Sequence, residues 1–166
     1  FKVASNLYSV SETRRSVMST NSPITTGGHV IGLYLCPGHG TPMLPVQAAS
    51  SITGKGLEGD IHARYNSKRQ ILIVDNETLD SLGLESGIIK ENITTTGIAI
   101  HSLIEGQKLS IGNDVILEIT GPCKPCQRMD DIQQGLQETL SGRRGALAIV
   151  HAGGTIAVGD TIHVTN

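Results

Sequence analysis

The sequence predicts a mainly β fold: a partly closed, largely antiparallel β-barrel with a few short peripheral helices. Short runs of Val, Ile, Leu and Thr recur along the chain, and turns rich in its 20 glycines separate them. β-branched residues favour strands, and glycine favours tight turns. Six or so short strands with two short helices fit a barrel better than a doubly wound α/β sheet.

The strands are predicted from seven apolar runs, of which the second is irregular. In chain order they cover 29–36, 43–52, 70–75, 107–112, 114–120, 146–152 and 161–165. The run QILIVD (70–75) is continuously apolar, which is typical of a strand buried on both faces. Gly112 and Asn113 predict a tight hairpin turn between the fourth and fifth runs.

Two helices are predicted. The first, over 76–83, follows a capping residue, Asp75 or Asn76, and ends at Gly83. The second, over 129–141, has apolar residues at a spacing of four in MDDIQQGLQETLSG, despite an internal glycine.

One folded domain is expected over residues 29–166, because the chain is long enough for a single buried core and shows no internal repeat. Residues 1–28 are rich in Ser and Thr and have no periodic apolar pattern, so a flexible or vector-derived segment is expected there. A transit peptide is the alternative interpretation, because basic residues lie among the serines.

Net charge and cysteine content restrict the possible functions and locations of the protein. The formal net charge of −2 argues against general binding to nucleic acid or a membrane surface. No run approaches 18 apolar residues, so no membrane-spanning helix is predicted. Three cysteines without a secretory segment predict a reducing compartment and a cytoplasmic location.

The stretch TGPCKPCQRMD contains Cys123 and Cys126, and its residues allow several interpretations. Cys36 and His39 could complete a tetrahedral zinc site with this pair, although we expect the two halves not to meet. The pair could instead be a redox dithiol, because neighbouring cations such as Lys124 lower the pKa of a thiol. Two small buried side chains near a strand end are the structural alternative.

Polar and basic residues cluster in loops elsewhere. The glycine-rich turn GKGLEGDIHARY presents Glu58, Asp60 and His62. Basic residues lie at strand ends or in glycine-rich loops, which is where an anionic ligand would be held. They are Lys68, Arg69, Lys90, Arg128 and the arginines of GRRG (142–145).

These stretches together resemble a MOSC domain, the module named after the C-terminal part of molybdenum cofactor sulfurases. The resemblance covers residues 29–164 and depends on the order and spacing of several motifs. The motifs are GLEGD (56–60), RQILIVD (69–75), ENITTTG (91–97), the run from GQKLSIG to VILEITGPCKPC (106–126), RRGALAIV (143–150) and GGTIAVGD (153–160).

The resemblance implies a β-barrel and makes Cys126 the functional thiol. In relatives that reduce N-hydroxylated compounds this cysteine ligates molybdenum, and in the sulfurases it was proposed to carry sulfur as a persulfide. By motif position, Arg69, Lys90 and Asn92 would bind the phosphate and pterin of the molybdenum cofactor. Further candidates for cofactor binding are Arg128, Arg143, Glu58, Asp60 and His62.

Two functions follow as expectations. The first is a molybdenum-dependent reductase of a small N-hydroxylated substrate, with an external electron donor, because the chain has no flavin, haem or iron–sulfur motif. The second is a sulfur or cofactor carrier that acts through Cys126 with a partner such as a cysteine desulfurase. Cys126, Arg69, Asn92 and at least one of Lys90, Arg128 or Arg143 are expected to line one cavity, with the GLEGD turn at its rim. A deep cationic pocket that ends at Cys126 would favour the reductase, and an exposed Cys126 on a flat apolar rim would favour the carrier.

Overall fold

The structure, a computed structural model, describes residues 27–165 and contains eleven strands within that range. In chain order they are β1 Gly27–Leu35, β2 Leu44–Pro45, β3 Ala48–Ile52, β4 Gly56–Leu57, β5 Ile71–Asp75, β6 Ile93–Thr96, β7 Lys108–Ile111, β8 Val115–Pro122, β9 Ala146–Ala152, β10 Gly154–Ala157 and β11 Thr161–Thr165. The segment predicted over 1–28 lies outside the described residues except for its last two, which already belong to β1.

Seven strands form a closed barrel in the order β11, β7, β8, β9, β5, β6 and β1. Gly27 to His29 close it by pairing antiparallel with Thr161 to His163. All neighbours in the barrel are antiparallel except β5 and β6, which run parallel. The predicted β-barrel is confirmed, and it is closed rather than partly closed, so each of the seven strands has two neighbours.

Two smaller pairings lie outside the barrel. The short β2 pairs with the end of β1, where Leu35 faces Leu44. The strands β10, β3 and β4 form a separate three-stranded antiparallel sheet. The irregular second run of the sequence therefore becomes two short strands, because the chain leaves the barrel there.

The apolar run of β5 lies between two cores. Ile71 and Ile73 point into the barrel and join its core, whereas Leu72 and Val74 join a second apolar cluster outside it. All five residues of β5 are buried, so the prediction of a strand covered on both faces is confirmed. The second cluster also contains Cys123, which places this cysteine against a helix-covered face of the barrel.

The helices are shorter than predicted. The first, α1, spans Asn76–Ser81, and the buried Asp75 caps it by accepting hydrogen bonds from the amide and hydroxyl of Thr78 at 3.1 and 2.7 Å. The prediction of one helix over 129–141 is wrong: the structure has α2 at Arg128–Ile132 and α3 at Leu136–Thr139. Gly135 separates them with a φ of +82°, a left-handed conformation that a continuous α-helix cannot contain.

Three strands, β4, β6 and β10, were not predicted. β6 lies in ENITTTG, where no strand was predicted, and three of its four residues are threonines. It is nevertheless a central strand, since β1 and β5 pair with it on either side. β10 was hidden by the glycines around it. The predicted hairpin between β7 and β8 is confirmed. Within residues 27–165, no helix has the length and apolarity needed to cross a bilayer.

Candidate functional site

One cavity of about 600 Å³ collects most of the residues that carry chemistry. It opens outside the barrel wall, where Leu72 of β5 and Leu147 of β9 form part of its floor. The residues that line it belong to loops far apart in the sequence. They lie within 36–41, 61–62, 69–72, 90–92, 123–132 and 144–147.

The cavity is strongly basic although the chain has a net charge of −2. Four cations line it against one carboxylate, that of Asp131. The four, called the cavity cations below, are Arg69, Lys90, Arg128 and Arg144. A concave wall with this charge favours an anionic ligand, because it concentrates positive potential where water is partly excluded.

Arg144 is the most constrained of the cavity cations. It is only 8 % exposed, and its two terminal nitrogens donate to the carbonyls of Lys124 and Ile89 at 3.2 and 3.1 Å. Its Nε has no hydrogen-bond partner among the described residues. A buried guanidinium fixed on two sides holds its positive charge at a defined place in the wall of the cavity.

Lys90 adopts a left-handed backbone conformation, with φ at +71°. Its Nζ donates to the carbonyl of Thr41 at 3.0 Å, which links the 36–41 loop to the segment before β6. Non-glycine residues adopt this conformation at a cost in free energy and often near functional sites. The contact holds one wall of the cavity in place.

The three cysteines all line this cavity, in different environments. Cys126 is exposed, whereas Cys36 and Cys123 are buried, and none is in a disulfide. Burial raises the pKa of the Cys123 thiol, although the nearby charges of Arg144 and Arg69 oppose that shift. Cys126 is therefore the thiol that a ligand can reach, and Cys123 stays protonated.

The zinc interpretation can be compared directly with this geometry. Cys36 and His39 line the same cavity as Cys123 and Cys126. Over residues 27–165, however, no group of three or more His, Cys, Asp or Glu side chains is arranged to hold a metal ion. The two halves share a cavity and do not form a ligand cluster.

A buried carboxylate organises the side of the cavity near the GLEGD turn. Asp60 Oδ2 accepts from the amide of Cys36 at 2.6 Å and from Asn92 Nδ2 at 2.8 Å. Its Oδ1 accepts from the amide of His62 at 2.8 Å and lies 2.9 Å from His62 Nδ1. Burial alone would raise the pKa of Asp60, but these hydrogen bonds together hold it below its usual value.

Asn92 connects this carboxylate to the barrel. Its Oδ1 accepts from the amide of Leu72 at 3.0 Å, and its Nδ2 donates to the carbonyl of Tyr34 as well as to Asp60. Both N–H donors and one of the two acceptor positions of this buried amide are therefore used within the protein. Asn92 lines the cavity, but its hydrogen bonds are structural.

Most of the nine sequence-predicted site residues lie around this cavity. Six line it: Cys126, Arg69, Lys90, Asn92, Arg128 and His62. Asp60 lies behind them as the partner of His62, and Glu58 is exposed outside the lining. Arg143 is turned away, since it donates to Ser81 Oγ at 2.8 Å on α1. Its neighbour Arg144, present in the GRRG motif but not selected, lines the cavity instead.

The family model for the MOSC domain matches residues 58–163. The chain belongs to the MOSC family. The match covers most of the barrel and the cavity residues from Ile61 to Leu147, so the MOSC fold and the cavity are parts of one unit. Among curated proteins, none matches the sequence.

Solved structures show the same MOSC fold at low identity. The YuaD protein from Bacillus subtilis has a TM-score of 0.73 at 22% identity, covering 83% of this chain and 95% of that one. YiiM from Geobacillus stearothermophilus has a TM-score of 0.66 at 16% identity, over 84% and 75% of the two chains. YiiM from Escherichia coli has a TM-score of 0.63 at 18% identity, over 84% and 70%.

Proposed function

We propose that this MOSC domain binds the molybdenum cofactor in the basic cavity, with Cys126 as the protein ligand to the metal, and that it reduces N-hydroxylated compounds. One observation carries the proposal: the exposed thiol of Cys126 shares one cavity with four cations. The cofactor combines a thiophilic metal with an anionic phosphate tail, so it needs both kinds of partner.

The residues present fit this group. A soft thiolate suits molybdenum, and Cys126 is the accessible thiol of the cavity. Arg69, Lys90 and Arg144 would hold the anionic part through their positive charges. When bound, the cofactor supplies a metal centre that takes up and delivers electrons in pairs.

The other lining residues would shape the surroundings of the bound cofactor. Leu72, Ile132 and Leu147 give the cavity an apolar floor that limits water. Cys123 stays protonated, because burial raises its pKa, and so it does not compete as a second thiolate ligand. The 36–41 loop, held by Lys90, lines the same cavity as the cysteine segment.

The test is metal content followed by turnover. The protein is produced in a host that makes the cofactor and in one that cannot, and molybdenum per chain is measured. We expect close to one molybdenum in the first case, none in the second, and none for Cys126→Ser. The loaded protein should reduce benzamidoxime with reduced methyl viologen. If the protein from the host that makes the cofactor contains no molybdenum, the proposal is wrong.

A sulfur carrier is the second candidate, supported by the exposure of Cys126 beside a neutral thiol in the same CxxC motif. The Cys126 thiolate would attack the outer sulfur of a desulfurase persulfide, take that sulfur and release the desulfurase thiolate. Incubation with a cysteine desulfurase and cysteine should then add the mass of one sulfur to wild type and not to Cys126→Ser. A molybdenum-free protein that gains this mass would favour the carrier.

A further inference from the structure

We propose that His62, oriented by Asp60, is the proton donor of the reaction in this cavity. The inference rests on the proposed reductase function and assigns His62 a role that differs from holding the cofactor. It is carried by the geometry of the Asp60–His62 pair and by the position of the imidazole in the cavity that contains Cys126.

The Asp60 carboxylate is built to stay ionised. Its side chain is completely buried, and its two oxygens have four hydrogen-bonding neighbours, two on each oxygen. An ionised carboxylate only accepts hydrogen bonds, so His62 Nδ1 must carry the hydrogen that it shares with Asp60 Oδ1. The pair thereby fixes the imidazole tautomer, as carboxylate–histidine pairs do in catalytic sites.

The other ring nitrogen, Nε2, is left for the cavity. The His62 side chain is 49 % exposed, and Nε2 has no hydrogen-bond partner among the described residues. With Nδ1 held by Asp60, Nε2 is the position that takes up a proton from solvent and gives it to a bound substrate.

Reduction of an N-hydroxyl group requires such a donor. The N–OH group of the substrate takes up two electrons and two protons and becomes N–H with release of water, and two reduced viologen molecules supply the electrons in the assay. As the N–O bond breaks, its electron pair goes to oxygen, and a proton from His62 Nε2 lets that oxygen leave as water. The second proton comes from solvent and ends on nitrogen. General acid catalysis of this kind contributes about 100- to 10,000-fold in rate.

Other ionisable groups line the cavity together with His62 and contribute to the electrostatic potential at its imidazole. Besides Asp60, they are the four cavity cations, Asp131, His39 and the three cysteines. The carboxylate that contacts His62 is Asp60, so the pair can be altered separately from the cations. A matched control exists on the barrel: His151 Nδ1 lies 3.4 Å from Glu118, is 47 % exposed and does not line the cavity.

The first test needs no cofactor. Nitrogen-15 chemical shifts of neutral His62 in the cofactor-free protein should report the Nδ1–H tautomer. In Asp60→Asn the amide oxygen is expected to face Cys36 and Asn92, whose two N–H donors require it. The amide NH2 would then face His62 and switch it to the Nε2–H tautomer, while His151 stays unchanged. An Nε2–H tautomer in wild type would overturn the pairing.

The second test uses the loaded enzyme and three variants. His62→Gln should keep wild-type molybdenum content, lose about 100-fold or more in kcat, and lose the decline of kcat with rising pH that a required acid produces. Added imidazole should restore turnover to His62→Ala, and His151→Gln should match wild type.

The outcomes separate this inference from the proposed function. If His62→Gln loses molybdenum in proportion to activity, His62 holds the cofactor and the proton-donor role is wrong. Full kcat in His62→Gln, or no rescue by imidazole, would overturn it as well. Wild type without molybdenum would instead refute the reductase and with it the reaction step, while the nitrogen shifts would still decide the Asp60–His62 pair.

Discussion

At the scale of single residues, Cys123 and Cys126 are three positions apart and differ in their surroundings. Cys126 is exposed in the cavity, whereas Cys123 is 4 % exposed within the apolar cluster that contains Leu72 and Met129. A shared motif therefore contains one accessible thiol and one packed thiol. The difference follows from the strand end at Pro122, after which the chain turns across the helix-covered face of β5.

The two cysteines should respond differently to serine. Cys126→Ser should change the free energy of unfolding by about 0.5 kcal/mol or less, because the site is exposed, and should lose activity. Cys123→Ser should retain most activity but cost about 1–3 kcal/mol in stability, because it puts a hydroxyl among apolar side chains. Denaturant unfolding and turnover measure both. Cys123→Ala is the control, and equal activity losses in Cys126→Ser and Cys123→Ala would contradict the assignment.

Glu91 is a fully buried acid next to the cavity residues Lys90 and Asn92. Its Oε1 accepts from the amide of Gly87 and from Thr94 Oγ1, and its Oε2 has no partner among the described residues. Burial raises the pKa of Glu91 above the ordinary value of 4.5, although these hydrogen bonds oppose the shift.

The raised pKa of Glu91 makes stability depend on pH. The folded protein keeps this proton to a higher pH than the unfolded chain does. The contribution of Glu91 to the free energy of unfolding therefore falls as pH rises from about 4.5 through the raised folded pKa. Glu91→Gln keeps the acceptor and removes the charge, so it should gain stability relative to wild type as pH rises. Parallel curves of stability against pH for the two proteins would refute this.

At the scale of elements, β5 supports both halves of the molecule. One face of the strand belongs to the barrel core and the other forms the wall of the cavity, where Leu72 lies in the floor. Its antiparallel neighbour β9 starts directly after Arg144 and Gly145. The position of Arg144 in the cavity therefore depends on how closely the start of β9 approaches β5.

Gly145 permits that approach, so Gly145→Ala should be severely destabilising. A Cβ at Gly145 would lie 2.0 Å from the Ile73 carbonyl oxygen, and φ is +87°. Relieving the clash would displace β9 from β5, so we expect a loss of about 3 kcal/mol or more. Gly142→Ala is the matched control, since it has a φ of +72° and open space around the Cβ, and it should cost about 1–2 kcal/mol. Equal losses in denaturant unfolding would show that the close approach is unimportant.

At the scale of the whole molecule, the basic cavity has a charge opposite to that of the chain as a whole. Its cations come from segments that the fold brings together on one side of the barrel. Lys68 and Arg69 are adjacent in sequence and both exposed, but of the two only Arg69 lines the cavity. Comparing variants of these two residues therefore separates the effect of a charge inside the cavity from the effect of net charge on anion binding.

Pyrophosphate should bind the cofactor-free protein as a probe of the cavity. We expect Arg69→Gln to weaken binding by about 3- to 10-fold, as one exposed charge-assisted contact would, and added salt to weaken it further. Lys68→Gln should match wild type, because it removes the same charge outside the cavity. Titration calorimetry measures the affinities. Equal weakening in both variants would mean that pyrophosphate responds to net charge and not to the cavity.

The sequence by itself determined eight of the eleven strands within residues 27–165, the hairpin between β7 and β8 and the double burial of β5. These features depend on local alternation, turn residues and continuous apolar runs, which neighbouring residues specify. It could not reveal β6, because buried threonines have the same polar appearance as loop residues. Thr94 is buried because its hydroxyl finds Ser86 and Glu91, which are partners outside its own strand.

Only the tertiary structure decided how the site is assembled. The motifs singled out Arg69, Lys90 and Cys126, but of the two arginines in GRRG they selected Arg143. The structure turns Arg143 toward Ser81 and places Arg144 in the cavity. The motifs could not show that Cys36 and Asp60, 24 positions apart, are hydrogen-bonded in one wall. Such contacts arise when a barrel closes and brings distant loops to one side. The free energy that fixes them comes from packing across the whole core, which no short stretch of sequence contains.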